Sequence, residues 1–278
     1  MNQKSKLFGI SMAMLLVFTS VSAQDGSPDG ESLWSIGADF VSRYIWRGVN
    51  LGGSSPSIQP YIEFDFGNDD HSFAVGAWGA YSVSAGQTGQ EADLYFTYTI
   101  KNLFSLTLTD YFFPDETVSR NSYFNYNMDW AAIDNGDSDQ TGHVVEAALS
   151  FNGTDNFPVS LMFAMNVWGA DSRKYVDDAG AMVPADGIVM SKYIELGYST
   201  GINGSALELF AGFSLDNPDI ENGEPAGFYG QESAGLINLG LTLSREIGIS
   251  DSYSLPVSGS LISNPEAGNI FMVFGISF

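Results

Sequence analysis

The sequence of 278 residues contains no cysteine, only two histidines and only ten basic residues. Without cysteine the chain cannot form disulfides, thiolate metal sites, a thiol nucleophile or a lipid-modified N-terminal cysteine. Two histidines leave little room for a histidine-rich metal centre. Ten bases against 33 acids cannot provide the cationic surface that nucleic-acid binding requires. We therefore expect no metal, no cofactor and no nucleic-acid partner.

Charged residues are also sparse, at 15% of the chain, whereas aromatic residues reach 14%. This balance argues against a disordered polyanion, although the formal net charge is -23. The length allows one large β domain or two ordinary domains. The composition favours an exported, β-rich protein with an acidic exterior or interior.

The N-terminus has the three regions of a secretory signal peptide. Lys4 and Lys6 precede an apolar stretch over 7–18, and Val21-Ser22-Ala23 is a small-residue cleavage pattern. A signal peptide over 1–23 is favoured over a buried N-terminal helix, and residues 24–32 read as an acidic periplasmic linker. No later segment has 18 consecutive apolar residues, so the mature chain is either soluble or crosses a membrane as strands.

Apolar and polar residues alternate with a period of two in twelve segments after residue 33. The first segment alternates Trp34, Ile36, Ala38, Phe40, Tyr44 and Trp46 with Gly37, Asp39, Arg43 and Arg47. Short links such as 67–70 and 101–103 mostly alternate with long links such as 114–142, 169–190 and 216–233. This pattern predicts an all-β, antiparallel, up-and-down transmembrane barrel of about 12 strands over 33–278. Its short turns would be periplasmic and its long loops extracellular.

A soluble β-sandwich also alternates, and three features favour the barrel over it. The segments approach the ~10 residues that a tilted membrane strand needs. The last one runs to Phe278. Aromatic residues collect near segment ends, as in interfacial girdles: Trp34, Tyr44, Trp46, Phe66, Phe73, Tyr81, Tyr98, Phe104, Phe112, Phe151 and Tyr198. Asp110 is an exception to the alternation, because this charged residue occupies a position predicted to face the lipid. Either the membrane boundary lies near Leu108 or a bulge shifts the register.

Ordered motifs over 37–114 carry a family resemblance. They are Ala38-Asp39-Phe40-Val41-Ser42-Arg43-Tyr44 with Arg47-Gly48, Pro56-Ser57-Ile58-Gln59, Gly76-Ala77-Trp78-Gly79, Glu91-Ala92-Asp93-Leu94-Tyr95 and Asp110-Tyr111-Phe112-Phe113-Pro114. This stretch resembles the TorF-type family of bacterial outer-membrane porins, which implies an outer-membrane barrel rather than a particular solute. Phe278 resembles the signal that the barrel assembly machinery recognises. That machinery, outer-membrane lipids and lipopolysaccharide are the partners expected.

Several charged and aromatic residues are predicted to face the lumen. Arg43 and Arg47 lie high on strand one, and Glu91 and Asp93 lie high on strand four. Opposed charges at one depth would form a constriction; alternatively these groups brace the wall in a packed network with Gln59 and Tyr95. Trp78 either stacks against a sugar or base or fills space. The other lumen acids are Asp39, Glu63, Asp65, Glu146, Glu195 and Glu208.

The predicted function is passive diffusion of small hydrophilic solutes. Twelve strands lie between filled eight-stranded barrels and wide pores of sixteen or more, so a narrow pore is expected, partly plugged by the loop over 114–142. Eight lumen acids against two arginines predict a preference for cations. The alternative is a non-conducting barrel whose acidic loops, over 134–139 and 216–224, serve adhesion or binding. We expect no enzyme, because His143 shares its outward face with no serine nucleophile.

Overall fold

The computed structural model describes residues 33–84, 89–114, 122–135 and 141–278. The signal peptide over 1–23 and the linker over 24–32 lie outside these ranges and stay predictions. Within the described ranges twelve strands form one closed antiparallel barrel, which confirms the predicted fold class. The strands are β1 (Trp34–Val41), β2 (Ser57–Gly67), β3 (His71–Ser82), β4 (Glu91–Ile100), β5 (Phe104–Phe112), β6 (His143–Phe151), β7 (Val159–Gly169), β8 (Lys192–Ile202), β9 (Ser205–Ser214), β10 (Gly235–Ser250), β11 (Tyr253–Asn264) and β12 (Asn269–Ser277).

Each strand pairs with its neighbours in the chain, and β1 closes the barrel against β12. Asp39 lies opposite Ser277, and Val41 lies opposite Gly275. Phe278 extends this seam, because its amide donates to the Ala38 carbonyl at 3.0 Å and its carbonyl accepts from the Ala38 amide at 3.1 Å. Every barrel strand is therefore paired on both sides, as a strand in a membrane must be.

The connections differ in length between the two rims of the barrel. The short-turn rim carries the links over 68–70, 101–103, 152–158, 203–204 and 251–252. The long-loop rim carries the links over 42–56, 83–90, 113–142, 170–191 and 215–234, together with one short link over 265–268. Helix α1 (Trp130–Asp134) and the small hairpin of strands Arg173–Asp178 and Ala181–Ile188 belong to the long-loop rim. No helix in the described part of the chain is both long and apolar enough to cross a membrane.

Side chains alternate between an apolar exterior and a polar interior. On β4, Leu94 and Phe96 are exposed on the outside, whereas Glu91 and Asp93 are buried inside. The same exterior face exposes large apolar residues around the barrel: Ile36, Ile62, Leu106, Leu149, Leu161, Leu196, Leu209, Leu241, Leu261 and Met272. A soluble monomer rarely exposes so continuous an apolar surface.

Aromatic rings line the outside next to the short-turn rim. Phe66 stacks on Phe73 at a centroid distance of 5.2 Å, and Phe73 stacks on Tyr98 at 4.9 Å. Farther around, Phe104 packs against Phe151 at 5.6 Å. This row matches the aromatic girdle that a membrane barrel places at one interface.

The end of the first strand differs from the prediction. The sequence pattern extends strand one through Arg47, but β1 ends at Val41 and the chain then turns into the barrel. Strands Ile45–Trp46 and Val49–Asn50 form a hairpin, here called the lumen hairpin (residues 45–50). Its turn residues Arg47 and Gly48 have φ of 48° and 78°, which is typical of a two-residue hairpin turn. Tyr44 and Trp46 are therefore inside the barrel, and their predicted place in the exterior girdle is wrong.

Asp110 faces outward without any register shift. β5 pairs regularly with both of its neighbours at this position, so the predicted bulge is wrong. The segment over 122–127 covers this part of the outer wall instead, and the Tyr126 hydroxyl donates to Asp110 at 3.1 Å. Partial burial, together with this hydrogen bond, raises the pKa of Tyr126 to about 12. Phe112 is buried beneath Tyr123 of the same segment, with the ring centroids 5.2 Å apart.

Candidate functional site

The lumen hairpin crosses the barrel from β1 to the opposite wall. At its tip Arg47 makes a bidentate ion pair with Glu146 of β6, with N–O distances of 2.5 and 2.8 Å. Gly48 lies against β10 so closely that an added Cβ would be 1.9 Å from the Ile237 carbonyl oxygen. Asn264, at the end of β11, donates to the Gly48 carbonyl at 3.3 Å. The hairpin therefore narrows the lumen at this depth.

Aromatic rings surround the Arg47 guanidinium. It lies 4.6 Å from the ring centroid of Trp46 and 4.5 Å from that of Tyr193, distances typical of cation–π contacts. It also donates to the Tyr229 hydroxyl at 2.9 Å, so the loop over 215–234 reaches down to the hairpin. Burial, the largest influence, raises the pKa of Tyr229. The aromatic rings therefore cover part of the surface of the ion pair.

Among the described residues, no ion pair joins Glu91 or Asp93 to Arg43 or Arg47. Both acids are buried in β4, at 2% exposure, and Tyr44 donates to Glu91 at 2.6 Å. The Tyr44 ring packs against Trp78 with a centroid distance of 5.6 Å. Because Arg47 pairs with Glu146, the structure does not bring the four predicted constriction charges together. Glu91 and Asp93 lie instead beside the side chains of Tyr44, Tyr61, Trp78 and Tyr95, here called the packed layer.

Trp78 lies in the same layer. It is 4% exposed and packs among Tyr44, Tyr61 and Tyr95, so little of its ring is open for stacking, although it lines part of the cavity described below. The Tyr95 hydroxyl donates to Glu63 at 2.7 Å, which holds that lumen acid on the wall. Trp78 therefore fills space in this structure.

A cavity of about 150 Å³ remains between the hairpin and the wall formed by β1 and β10 to β12. Its wall carries small hydroxylated side chains: Thr242, Ser258, Ser260 and Ser277. Asp39, Arg43, Arg47 and Glu195 supply its charges, and Gln59 also lines it. Glu195 accepts hydrogen bonds from Tyr193 and, at 2.8 Å, from Asn238. The described side chains leave this part of the lumen open.

The other predicted lumen acids lie nearer the short-turn rim. Asp65 is exposed near the end of β2, and Glu208 is half-buried near the start of β9. Hydroxyl groups on the lumen wall pair between neighbouring strands, including Thr97 of β4 with Thr107 of β5 at 3.0 Å. The predicted acids are therefore spread along the lumen rather than gathered in one ring.

His143 and Asp110 form a pair on the outer surface near the long-loop rim. One ring nitrogen of His143 lies 2.8 Å from an Asp110 carboxylate oxygen, and the other lies 2.6 Å from the Tyr123 carbonyl. Within the described residues, no hydroxyl group hydrogen-bonds to this ring. The pair anchors the covering segment over 122–127, and this geometry presents no activated nucleophile.

The sequence reasoning missed the lumen roles of Tyr44, Trp46 and Tyr229. Gly48 was the available signal, because a glycine in a two-residue turn permits a hairpin at this point. In the loop over 114–142, predicted as the plug, residues 122–127 lie on the outer wall and α1 belongs to the long-loop rim, whereas residues 115–121 and 136–140 lie outside the described ranges.

Comparisons by sequence find no matching family model and no matching curated protein. The TorF-type resemblance therefore stays a prediction. Among solved structures, the chain is similar to the beta domain of the Bordetella autotransporter BrkA, with 12% identity over 88% of this chain and 98% of that one and a TM-score of 0.31. A triple mutant of the Rhodopseudomonas blastica porin gives 12% identity, 88% and 99% coverage and a TM-score of 0.33.

A third similar structure is Wzi of Escherichia coli, described as a carbohydrate-binding outer-membrane barrel that is involved in capsule assembly. It gives 9% identity, 88% and 56% coverage and a TM-score of 0.32. Scores this low carry no argument about the function of this chain. The barrel's own geometry defines its class: a closed, twelve-stranded antiparallel barrel with an apolar exterior and a hairpin folded into its lumen.

Proposed function

We propose that the protein is a bacterial outer-membrane channel for small hydrophilic solutes, narrowed by the lumen hairpin. The exterior supports the location, since a belt of exposed apolar residues with an aromatic row at one rim suits a bilayer and not water. The observation that carries the channel is the polar cavity of about 150 Å³ beside the hairpin.

The solute path in this proposal runs along the β10 to β12 wall. Small side chains such as Ser258 and Ser260 line that wall. The opposite half of the lumen is filled by Tyr44 and Trp78, together with Arg47 and the aromatic rings that surround its guanidinium. A path so confined suits solutes of a few heavy atoms, because a cavity of about 150 Å³ holds a molecule the size of benzene.

The proposal keeps a preference for cations but assigns it to fewer acids than the eight counted from the sequence. Glu146 offsets the charge of Arg47, and Glu91 and Asp93 are buried away from the cavity. Asp39 and Glu195 line the cavity, and Glu63, Asp65 and Glu208 are further acids of the lumen wall, against Arg43. This excess of negative charge attracts cations.

Planar-bilayer recording tests the channel. Purified protein should give small, discrete conductance steps in KCl, with a reversal potential toward the cation equilibrium in a KCl gradient. Absence of steps from refolded, heat-modifiable protein would contradict the channel.

A non-conducting barrel is the second candidate, and the filled half of the lumen favours it. Its acidic loop over 216–224 would then present Asp219, Glu221 and Glu224 for surface binding. In that case bilayers would stay silent, and whole cells that display the protein would bind a surface ligand that loop-deleted cells do not.

A further inference from the structure

Two groups of opposite charge that form no ion pair with any described residue face the cavity beside the lumen hairpin. Oδ1 of Asp39 is buried and has no hydrogen-bond partner among the described residues. Arg43 is half-buried, and the ion pairs within the described residues use Arg47, His143, Arg173 and Lys192 instead. Buried polar groups in native proteins are usually satisfied, so an orphaned carboxylate oxygen at a cavity points to a missing partner.

The cavity lining carries charges of both signs. Asp39 and Glu195 oppose Arg43 and Arg47, and Glu146 lies behind Arg47. Glu195 already accepts from Tyr193 and Asn238, and Arg47 is already paired, so Asp39 and Arg43 are the charged groups of the lining left to meet a solute. A cation alone would leave Arg43 unmatched, and an anion alone would leave Asp39 unmatched.

The aromatic rings at this cavity do not favour a sugar. Trp78 is enclosed among tyrosines, and Trp46 packs against Tyr111 at 5.5 Å and Tyr229 at 5.6 Å. A sugar commonly stacks on an open ring face, whereas these rings, which line part of the cavity, pack against other aromatic rings. Ile262 and Val273 provide apolar contact for a short carbon chain instead.

We propose that the cavity binds a small aminocarboxylic acid in its zwitterionic form. Its carboxylate would accept hydrogen bonds from the Arg43 guanidinium, which suits carboxylates in a bidentate geometry. Its ammonium group would donate to Oδ1 of Asp39, and the hydroxyls of Ser258 and Ser260 would complete the polar lining. This inference rests on the proposed channel, since the cavity lies on its path, but binding itself does not require conduction.

Isothermal titration of folded protein in detergent micelles tests the binding. The probes are glycine, β-alanine and γ-aminobutyrate, which vary the distance between the two charges. Propionate, n-propylammonium and glycerol carry one charge or none. At least one aminocarboxylate should bind at least tenfold more tightly than all three controls, because charge-assisted bonds form at both ends. Equal binding of glycerol or propionate, or no binding of any probe, would overturn the inference.

Matched variants assign the binding to the two residues. Arg43→Gln and Asp39→Asn should each weaken aminocarboxylate binding at least tenfold, whereas Arg43→Lys should keep the preference over glycerol. Lys174→Gln, which removes a cation from the exposed hairpin on the long-loop rim, should bind like wild type. Unchanged binding in Arg43→Gln would place the solute elsewhere and overturn the assignment.

Conductance on the same preparations separates this inference from the proposed function. KCl conductance without aminocarboxylate binding would remove the zwitterion site and leave the channel. Aminocarboxylate binding without KCl conductance would remove the channel and leave a binding site in a closed barrel.

Discussion

Removing the charge of Glu146 should release the lumen hairpin while leaving the barrel folded. The ion pair with Arg47 is almost fully enclosed, with side-chain exposures of 9% and 3%. Breaking such a pair from one side costs about 3–5 kcal/mol, because it leaves a buried charge without a partner. That cost shifts the docking equilibrium of the hairpin by a factor of about 10² to about 4 × 10³. The strand ladder does not depend on the pair, so the barrel itself should persist.

Because the chain has no cysteine, a single Val49→Cys reports on this release. Val49 packs against the buried cluster around Tyr193 and Tyr229, so in the docked hairpin its label site is shielded. Adding Glu146→Gln should speed thiol labelling at least tenfold and raise the single-channel conductance. Arg47→Met with Glu146→Met should restore slow labelling, since neither charge remains.

Glu232→Gln is the matched control, because it removes one acid from an exposed loop position. If Glu146→Gln labels and conducts like Glu232→Gln, the ion pair does not hold the hairpin and the reasoning fails.

Three further predictions test other parts of the account. The double variant Asp65→Asn with Glu208→Gln should move the reversal potential in a KCl gradient toward zero. Glu91→Gln should leave the reversal potential unchanged, since Glu91 is buried. A shift caused by Glu91→Gln and not by the double variant would place the ion path elsewhere. Gly48→Ala should speed Val49→Cys labelling, because a Cβ meets the Ile237 carbonyl at 1.9 Å and φ is +78°; unchanged labelling would mean that the turn is not held against β10. The hydrogen bond from Arg173 lowers the pKa of Asp134 below its ordinary value of 3.8, so the contact between these two loops is present at neutral pH and is lost only as pH falls below that value. Spin labels at Ala131 and Asp186 should therefore keep their distance from pH 7 to 5 and separate in stronger acid, and separation already at pH 5 would contradict this.

The barrel could be predicted from sequence because its cause is local. Each strand must present apolar groups to one side and polar groups to the other, so a period of two appears in every segment. The difference in link length follows from the same topology, and both features agree with the structure.

The lumen hairpin could not be predicted this way, because a hairpin inside a barrel also alternates. Tyr44 and Trp46 continue the parity of β1, so periodicity alone assigned them to the lipid face. Their burial depends on contacts between residues far apart in the chain, such as Arg47 with Glu146, which are 99 residues apart. No local pattern shows which lumen acid an arginine will meet.

Asp110 shows the same limit on the outer wall. Its position on the lipid-facing parity was predicted correctly and the register is regular there, but the feature that covers it was not one that sequence rules could supply. It was a loop segment folded back over the wall, held by His143 and Tyr126.

The most direct test of a hairpin-restricted channel is the single-channel conductance of the wild-type barrel beside that of a variant in which residues 45–50 are replaced by glycine and serine. The account predicts small, cation-preferring steps for the wild type and severalfold larger steps for the variant, because the hairpin occupies the lumen between β1 and the walls of β6 and β10. Equal conductance in the two barrels, or a silent wild type beside a conducting variant, would contradict it.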